Sequence, residues 1–154
     1  MKIEPISAEI AEEYREQIAQ LYYKNVSSNA FYEHFTFKEA FGKMDNLISY
    51  LRDDTAIVYG AFEGDELIAF IWAYVHQFRE ENRMYVSEIR VKEEYRKRGI
   101  GGQMLRLVEE RAKALGLGAV YLHAEANNPR SVEFYKAKGY CEERIQMRKE
   151  IGRE

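Results

Sequence analysis

The run Arg96-Lys97-Arg98-Gly99-Ile100-Gly101-Gly102 sets three cations beside three glycines, directly ahead of a stretch with helical periodicity. Glycines let backbone approach a ligand closely, and the first turn of a helix leaves its N–H groups without intrahelical partners. With the helix dipole behind them, such N–H groups favour an anion, above all a phosphate. The chain as a whole is acidic, with a formal net charge of −3, so the positive potential here is local. A tight strand-to-helix turn flanked by solvated basic residues is the plainer alternative.

Two other phosphate motifs do not fit. A dinucleotide-binding fingerprint would need a third glycine where Met104 stands and a strand ending beside its first glycine, whereas polar Lys92–Arg98 intervenes. No Gly-Lys-Ser/Thr follows, which sets aside a P-loop. Metal chemistry is poorly served, because His34, His76, His123 and Cys141 are scattered without ligand spacing. No metal is expected.

The elements that must position this turn can be read on either side of it. A short strand around Lys2–Ile6 precedes Ser7, which can cap a helix with Ile10, Tyr14, Ile18, Leu21 and Tyr22 on its apolar face. Asn25–Phe35 reads as a loop. Thr36-Phe37-Lys38-Glu39 is a capping-box pattern, and the helix it opens carries Ala40, Phe41, Met44, Leu47, Ile48 and Leu51 before ending at Asp53-Asp54. Residues 56–62, 67–77 and 84–91 then read as three strands of a meander, the first two joined by a hairpin at Glu63–Glu66. After the basic turn a helix runs from about Gly99 to Leu115 and stops at Gly116. A strand at 119–124 follows, then a helix capped by Asn128-Pro129 and ended by Gly139. Tyr140–Ile151 is expected as a last strand or strand pair. The order is β-α-α-β-β-β-α-β-α-β, an α/β (α+β) arrangement.

Composition narrows the class. At 154 residues, 46% hydrophobic and 14% aromatic, the chain suits a single domain over 1–154 with a sizeable core. Its charge balance lacks the basic excess of a nucleic-acid binder. The lone Cys141 excludes an internal disulfide framework and fits a reducing cytoplasm. The N-terminus turns polar at once, unlike a signal peptide, and the longest apolar run, Leu67–Val75, is far short of the ~20 residues of a membrane helix. It reads as a buried strand, and neither a membrane nor a nucleic-acid partner is expected.

At the level of motifs, Tyr95-Arg96-Lys97-Arg98-Gly99-Ile100-Gly101 resembles the signature Arg/Gln-x-x-Gly-x-Gly/Ala of the GNAT N-acetyltransferases. Asn128-Pro129-Arg130-Ser131-Val132-Glu133-Phe134-Tyr135, followed by Gly139-Tyr140, resembles that family's second motif, an Asn placed seven residues before a Tyr. The resemblance covers roughly residues 55–150, a cofactor-binding core; residues 1–54, the acceptor side, match only in the order of their elements. It implies a GNAT-like mixed central sheet and transfer of an acetyl group from acetyl-CoA to a primary amine. Ile89, Arg90 and Val91 would lie on the strand that pairs with the pantetheine arm. Arg96, Lys97, Arg98, Gly99, Ile100, Gly101 and Gly102 would hold the pyrophosphate, and Asn128 would touch the cosubstrate. Tyr135 would stand near the sulfur as general acid.

Direct transfer needs a neutral amine, a base for its proton and an acid for the departing thiolate. Glu88, on the same strand alternation as Val86 and Arg90, is the first candidate base, with Glu125 and His123 behind it. Each residue has a plainer reading. Tyr135 is also a core aromatic, Asn128 a helix cap, Glu88 a solvated strand residue and His123 a satisfied strand histidine. Tyr22, Tyr23, Phe31, Tyr32, His34 and Phe35 either pack the helices on the sheet or line an acceptor pocket, where flat aromatics would suit a cationic or apolar amine and Glu33, Asp53 and Asp54 a positive one. The acceptor is a small-molecule or peptide amine, and exposed last strands would allow a homodimer. The rival functions are a non-catalytic acyl-CoA-binding domain and an interaction module built on the aromatic N-terminal half.

Overall fold

The apolar run Leu67–Val75 lies within a long strand, Glu66–Phe78 (β3), whose residues from Leu67 to Ala73 are all buried. The computed structural model describes residues 1–152 and divides into two compact units, Met1–His123 and the remainder from Ala124. In the first unit β3 is the middle of a 5-stranded sheet in chain order β1-β2-β3-β4-β5, with β1 Lys2–Pro5, β2 Ile57–Glu63, β4 Glu81–Val91 and β5 Val120–Leu122. The pairings are antiparallel as far as β4, while β4 and β5 run parallel. A parallel join requires a crossover, supplied here by the helix Ile100–Ala114 (α4). The result is an α/β arrangement, as the residue patterns imply, with the mixed sheet that the resemblance implies.

Alternation along β3 separates two cores. Phe70 and Trp72 face a cluster contributed by the helices Ala8–Glu13 (α1), Arg15–Ser27 (α2) and Phe37–Arg52 (α3), chiefly Ile18, Leu21, Tyr22, Met44, Leu47 and Ile48. Ala69, Ile71 and Ala73 alternate to the other side, where α4 packs on β2, β3 and β4 with Ile100, Met104, Leu105, Val108 and Ala112 buried. Burying one such aliphatic side chain is worth about 1.5–3 kcal/mol, so both layers hold β3 in place.

Local signals set the helix ends. Ser7 Oγ accepts from the Ile10 N–H at 3.2 Å, and Thr36 Oγ1 accepts from Glu39 N–H at 3.2 Å. Gly116 terminates α4 at φ +72, with Leu117 N–H reaching back to the Ala112 carbonyl at 3.0 Å.

Three expectations are corrected. The helix expected from Ser7 to Tyr22 is two helices, broken at Tyr14 (φ −97, ψ 12), whose ring packs edge-on against Phe62 of β2 at 5.0 Å. The loop expected at Asn25 starts later, because α2 runs on to Ser27 and a 3-10 turn forms at Ala30–Tyr32. Tyr140–Ile151 forms no strand, and Ile145, Met147 and Ile151 stand 76%, 88% and 81% exposed. The strand edge that suggests a homodimer is therefore not formed among the described residues. In the second unit the regular element is a helix, Pro129–Ala137 (α5), with Pro129 in its first turn.

Candidate active site

Beside β4 the sheet opens. β5 pairs with β4 only from Met84 to Val86, whereas β4 continues to Val91. The β5-side edge of Ser87–Val91 thus has no strand against it among the described residues. In an antiparallel ladder, residues alternate between those bonded to the partner and those directed away from it. The Lys92 N–H donates to the Ile68 carbonyl at 2.9 Å, so Arg90 belongs to the bonded set, and Ile89 and Val91 turn their backbone groups to the open edge. One of those groups is already used: the Val91 carbonyl accepts from Arg96 Nε at 3.2 Å.

A bulge corrects the placement of Glu88. The register passes from Trp72↔Glu88 to Ala73↔Val86, leaving Ser87 as an extra residue on β4. A bulge reverses alternation. Glu88 therefore does not share a face with Val86, which is buried on the α4 side, but stands beside Trp72 on the α1–α3 side with Arg90. There Glu88 Oε2 accepts from Arg90 Nε at 3.0 Å and from Arg90 Nη2 at 2.6 Å, and its side chain is only 11% exposed. The same guanidinium lies over the Tyr22 ring, 5.5 Å from its centroid. Burial, then repulsion from Glu88, pushes the Tyr22 phenol up to about 12, with a hydrogen bond to Glu88 adding to the rise and Arg90 opposing it. Glu88 is thus held in a fixed, half-dry setting rather than solvated.

Beyond β4 the chain makes a 3-10 turn at Glu93–Tyr95 and then places Lys97 at φ +63 and Gly99 at φ +80, both left-handed. Gly99 is the N-cap of α4 and supplies no side-chain cap; the first bond of the helix runs from Gln103 N–H to the Gly99 carbonyl at 3.0 Å. The N–H groups of Ile100, Gly101 and Gly102 precede that ladder, as a phosphate site needs. Ile100 is buried and anchors the turn. The cations divide. Arg98 is exposed, its guanidinium 5.1 Å from the Tyr95 ring centroid, and Lys97 is exposed, whereas Arg96 joins the Val91 carbonyl to Asn25 Oδ1 of α2 at 3.2 Å. Arg96 ties the turn to the strand and to α2, and the free charge beside the glycines belongs to Lys97 and Arg98.

In the second unit Asn128 caps α5, accepting from Ser131 N–H at 3.4 Å, and its own N–H reaches the Glu125 carbonyl at 2.9 Å. Tyr135 is half-buried, with its ring 5.2 Å from Phe134 and 5.9 Å from Tyr140. Glu88, Ile89, Arg90, Val91 and Arg96–Gly102 thus lie on one strand-turn-helix segment, and Asn128 and Tyr135 on one short helix.

The N-terminal aromatics pack mainly on one another. Tyr22 and Tyr23 lie 5.5 Å and 6.2 Å from Phe35, and Tyr23 lies 6.0 Å from Phe37, while Phe31 and Tyr32 are exposed. A different aromatic group stands on β3, β4 and β5, with Tyr74, His76, Phe78, Tyr85 and Tyr121 on the strands and His123 just past the end of β5. Its trace in the sequence is the period-two spacing Tyr74-x-His76-x-Phe78 and Tyr121-x-His123, legible only once the strands are known to be neighbours. Among the described residues no group of three His, Cys, Asp or Glu is placed to hold a metal, and no helix is long and apolar enough to cross a membrane.

An open strand edge that leads into a glycine-rich helix start suits a long ligand ending in phosphate. The chain matches the model of the acetyltransferase (GNAT) family over residues 28–140 and belongs to that family, whose cosubstrate is acetyl-CoA. It is 26% identical over 152 residues to the uncharacterized N-acetyltransferase YdgE of Bacillus subtilis (strain 168), covering 97% of each chain. Among solved structures it resembles a variant of the BH1408 protein from Bacillus halodurans (TM-score 0.84, 18% identity, 98% and 99% of the two chains). It also resembles an aminoglycoside acetyltransferase from an uncultured soil metagenomic sample (TM-score 0.75, 15% identity, 97% and 95%). At these identities the structural likeness is one of fold.

Proposed function

We propose that this protein is a cytoplasmic N-acetyltransferase that moves an acetyl group from acetyl-CoA to a primary amine by direct attack. The observation that carries the reading is the continuity of the open β4 edge, Ser87–Val91, with the left-handed turn that starts α4. The outward backbone of Ile89 and the N–H of Val91 pair with the pantetheine amides, and the N–H groups of Ile100, Gly101 and Gly102 bind the pyrophosphate with Lys97 and Arg98 beside them. Arg96 serves the site by fixing the turn. Arg90 acts through its hold on Glu88, and Asn128 orients the start of α5 while contacting the cosubstrate.

The amine nitrogen attacks the thioester carbon, Glu88 takes the amine's proton directly or through a water, and the thiolate leaves with a proton from Tyr135. An outward N–H of β4 stabilises the tetrahedral oxyanion, a contribution of ~3 kcal/mol per donor in related acyl transfers. The aminoglycoside acetyltransferase shares the fold alone and lends this chain no acceptor.

Tyr135→Phe tests the acid. It removes the donor and keeps the ring, so kcat falls about 100-fold while the acetyl-CoA dissociation constant by calorimetry stays within about twofold. Unchanged turnover would remove Tyr135 from the mechanism.

A further inference from the structure

Tyr74, Tyr85 and Tyr121 form a row across three strands, Tyr74↔Tyr85 and Tyr85↔Tyr121, with ring centroids 5.3 Å and 4.9 Å apart. His123 extends the row at 5.5 Å from Tyr85, His76 at 6.0 Å and Phe78 at 5.5 Å from Tyr121. Aromatics on a sheet face ordinarily sit beneath a helix, yet none of these belongs to the core cluster. The tyrosines are half-buried, and His76 and His123 are exposed. The Tyr85 hydroxyl and His123 Nδ1 are hydrogen-bonded at 3.0 Å, and the Tyr121 hydroxyl is likewise bonded to His76 Nδ1. Those bonds fix the rings and occupy two of their polar ends, and the rings meet at 71° and 41°, so the row is a pre-ordered aromatic surface with ring edges and faces alternating. Pre-ordered aromatics bind flat apolar groups at low entropic cost.

Position and charge narrow the occupant. The row ends where β4 and β5 part, at Val86↔Leu122, and Glu88 stands past the Ser87 bulge on the same face of β4 as Tyr85. At that end Glu88 pairs with Arg90. At the other end Arg83 lies 4.3 Å from the Phe78 centroid and 5.8 Å from that of Tyr121, and pairs with Glu81 at 2.9 Å. The cation–π position there is filled by the protein's own cation, so at that end a second ammonium on a long acceptor would compete with Arg83 for the Phe78 and Tyr121 rings.

Building on the transfer reading above, we infer that the acceptor is a monoamine with a flat apolar body, lying on Tyr74, Tyr85 and Tyr121 with its amine at the β4–β5 opening. Its nitrogen forms the new C–N bond, its proton passes to the base, and collapse of the tetrahedral oxyanion breaks the C–S bond and releases the CoA thiolate, which is reprotonated. No redox partner is involved.

Initial rates of CoA release from acetyl-CoA test this with 2-phenylethylamine and tryptamine against n-butylamine, 1,4-diaminobutane and spermidine. The arylalkylamines should exceed both polyamines in kcat/KM by at least about tenfold. Tyr121→Leu should cut arylalkylamine kcat/KM by about tenfold through KM, while the acetyl-CoA KM moves by less than about twofold. Tyr121→Phe, which keeps the ring and loses the His76 bond, should retain arylalkylamine turnover within about threefold. A preference for spermidine or 1,4-diaminobutane overturns the inference, as does an equal loss for n-butylamine and arylalkylamines in Tyr121→Leu. Absence of CoA release with every amine would instead remove the transfer reading on which it rests.

Discussion

Tyr22 shows how far one buried side chain is governed by its neighbours. Its phenol lies in the core next to Glu88 and Arg90, and burial leads the causes that hold it up at about 12 against an ordinary 10.0. A raised folded pKa means that the folded protein holds this proton more tightly than the unfolded chain. Its contribution to stability is complete below pH 10 and is lost as pH climbs through about 12. Thermal melts of the wild type should therefore fall more steeply with pH than those of Tyr22→Phe across that window, and run parallel to them below it. Curves that stay parallel up to pH 12 would show that the phenol is not buried beside the carboxylate. The same contacts restrict Glu88 to one orientation, which is what a proton acceptor at an opening in a sheet requires.

Among the elements, the turn before α4 carries the most specific demands. Gly99 sits at φ +80, and a Cβ placed there would meet only Gln103 Nε2, at 4.0 Å. Gly99→Ala therefore costs stability through backbone conformation rather than collision, about 1–2 kcal/mol in urea denaturation. No loss would mean the left-handed cap is not maintained. Gly101→Trp acts differently, since a large side chain there blocks the approach of a pyrophosphate; acetyl-CoA binding by calorimetry should vanish while the fold is kept, and retained affinity would refute the cradle. These local features were legible in the sequence because caps and left-handed turns are written in adjacent residues: Ser7, Thr36, Gly99, Gly116 and Asn128-Pro129 each stand where their chemistry requires. The bulge at Ser87 was not legible, because it exists only in the register of β4 against β3, and it alone decides which face Glu88 occupies. The row Tyr74, Tyr85 and Tyr121 escaped for the same reason, its members being distant in sequence and brought together by pairing.

Over the whole molecule, pattern and fold agree where burial is strong and part where it is weak. The run from Leu67 to Ala73 reads as a buried strand, and the sheet is built around it. Tyr140–Ile151 has strand-like alternation, but alternation alone does not hold a strand, whose N–H and C=O groups need a neighbouring edge. That segment stays irregular with Ile145 and Met147 exposed. In the proposed function the opening between β4 and β5 and the glycine turn form one site, a reading that membership of the GNAT family supports. The most direct test is to saturate the purified protein with acetyl-CoA, add a panel of primary amines, and follow free CoA thiol together with the mass of each amine. The account predicts amine-dependent thiol release matched one for one by acetylated amine. Tight acetyl-CoA binding with no thiol release for any amine would contradict it.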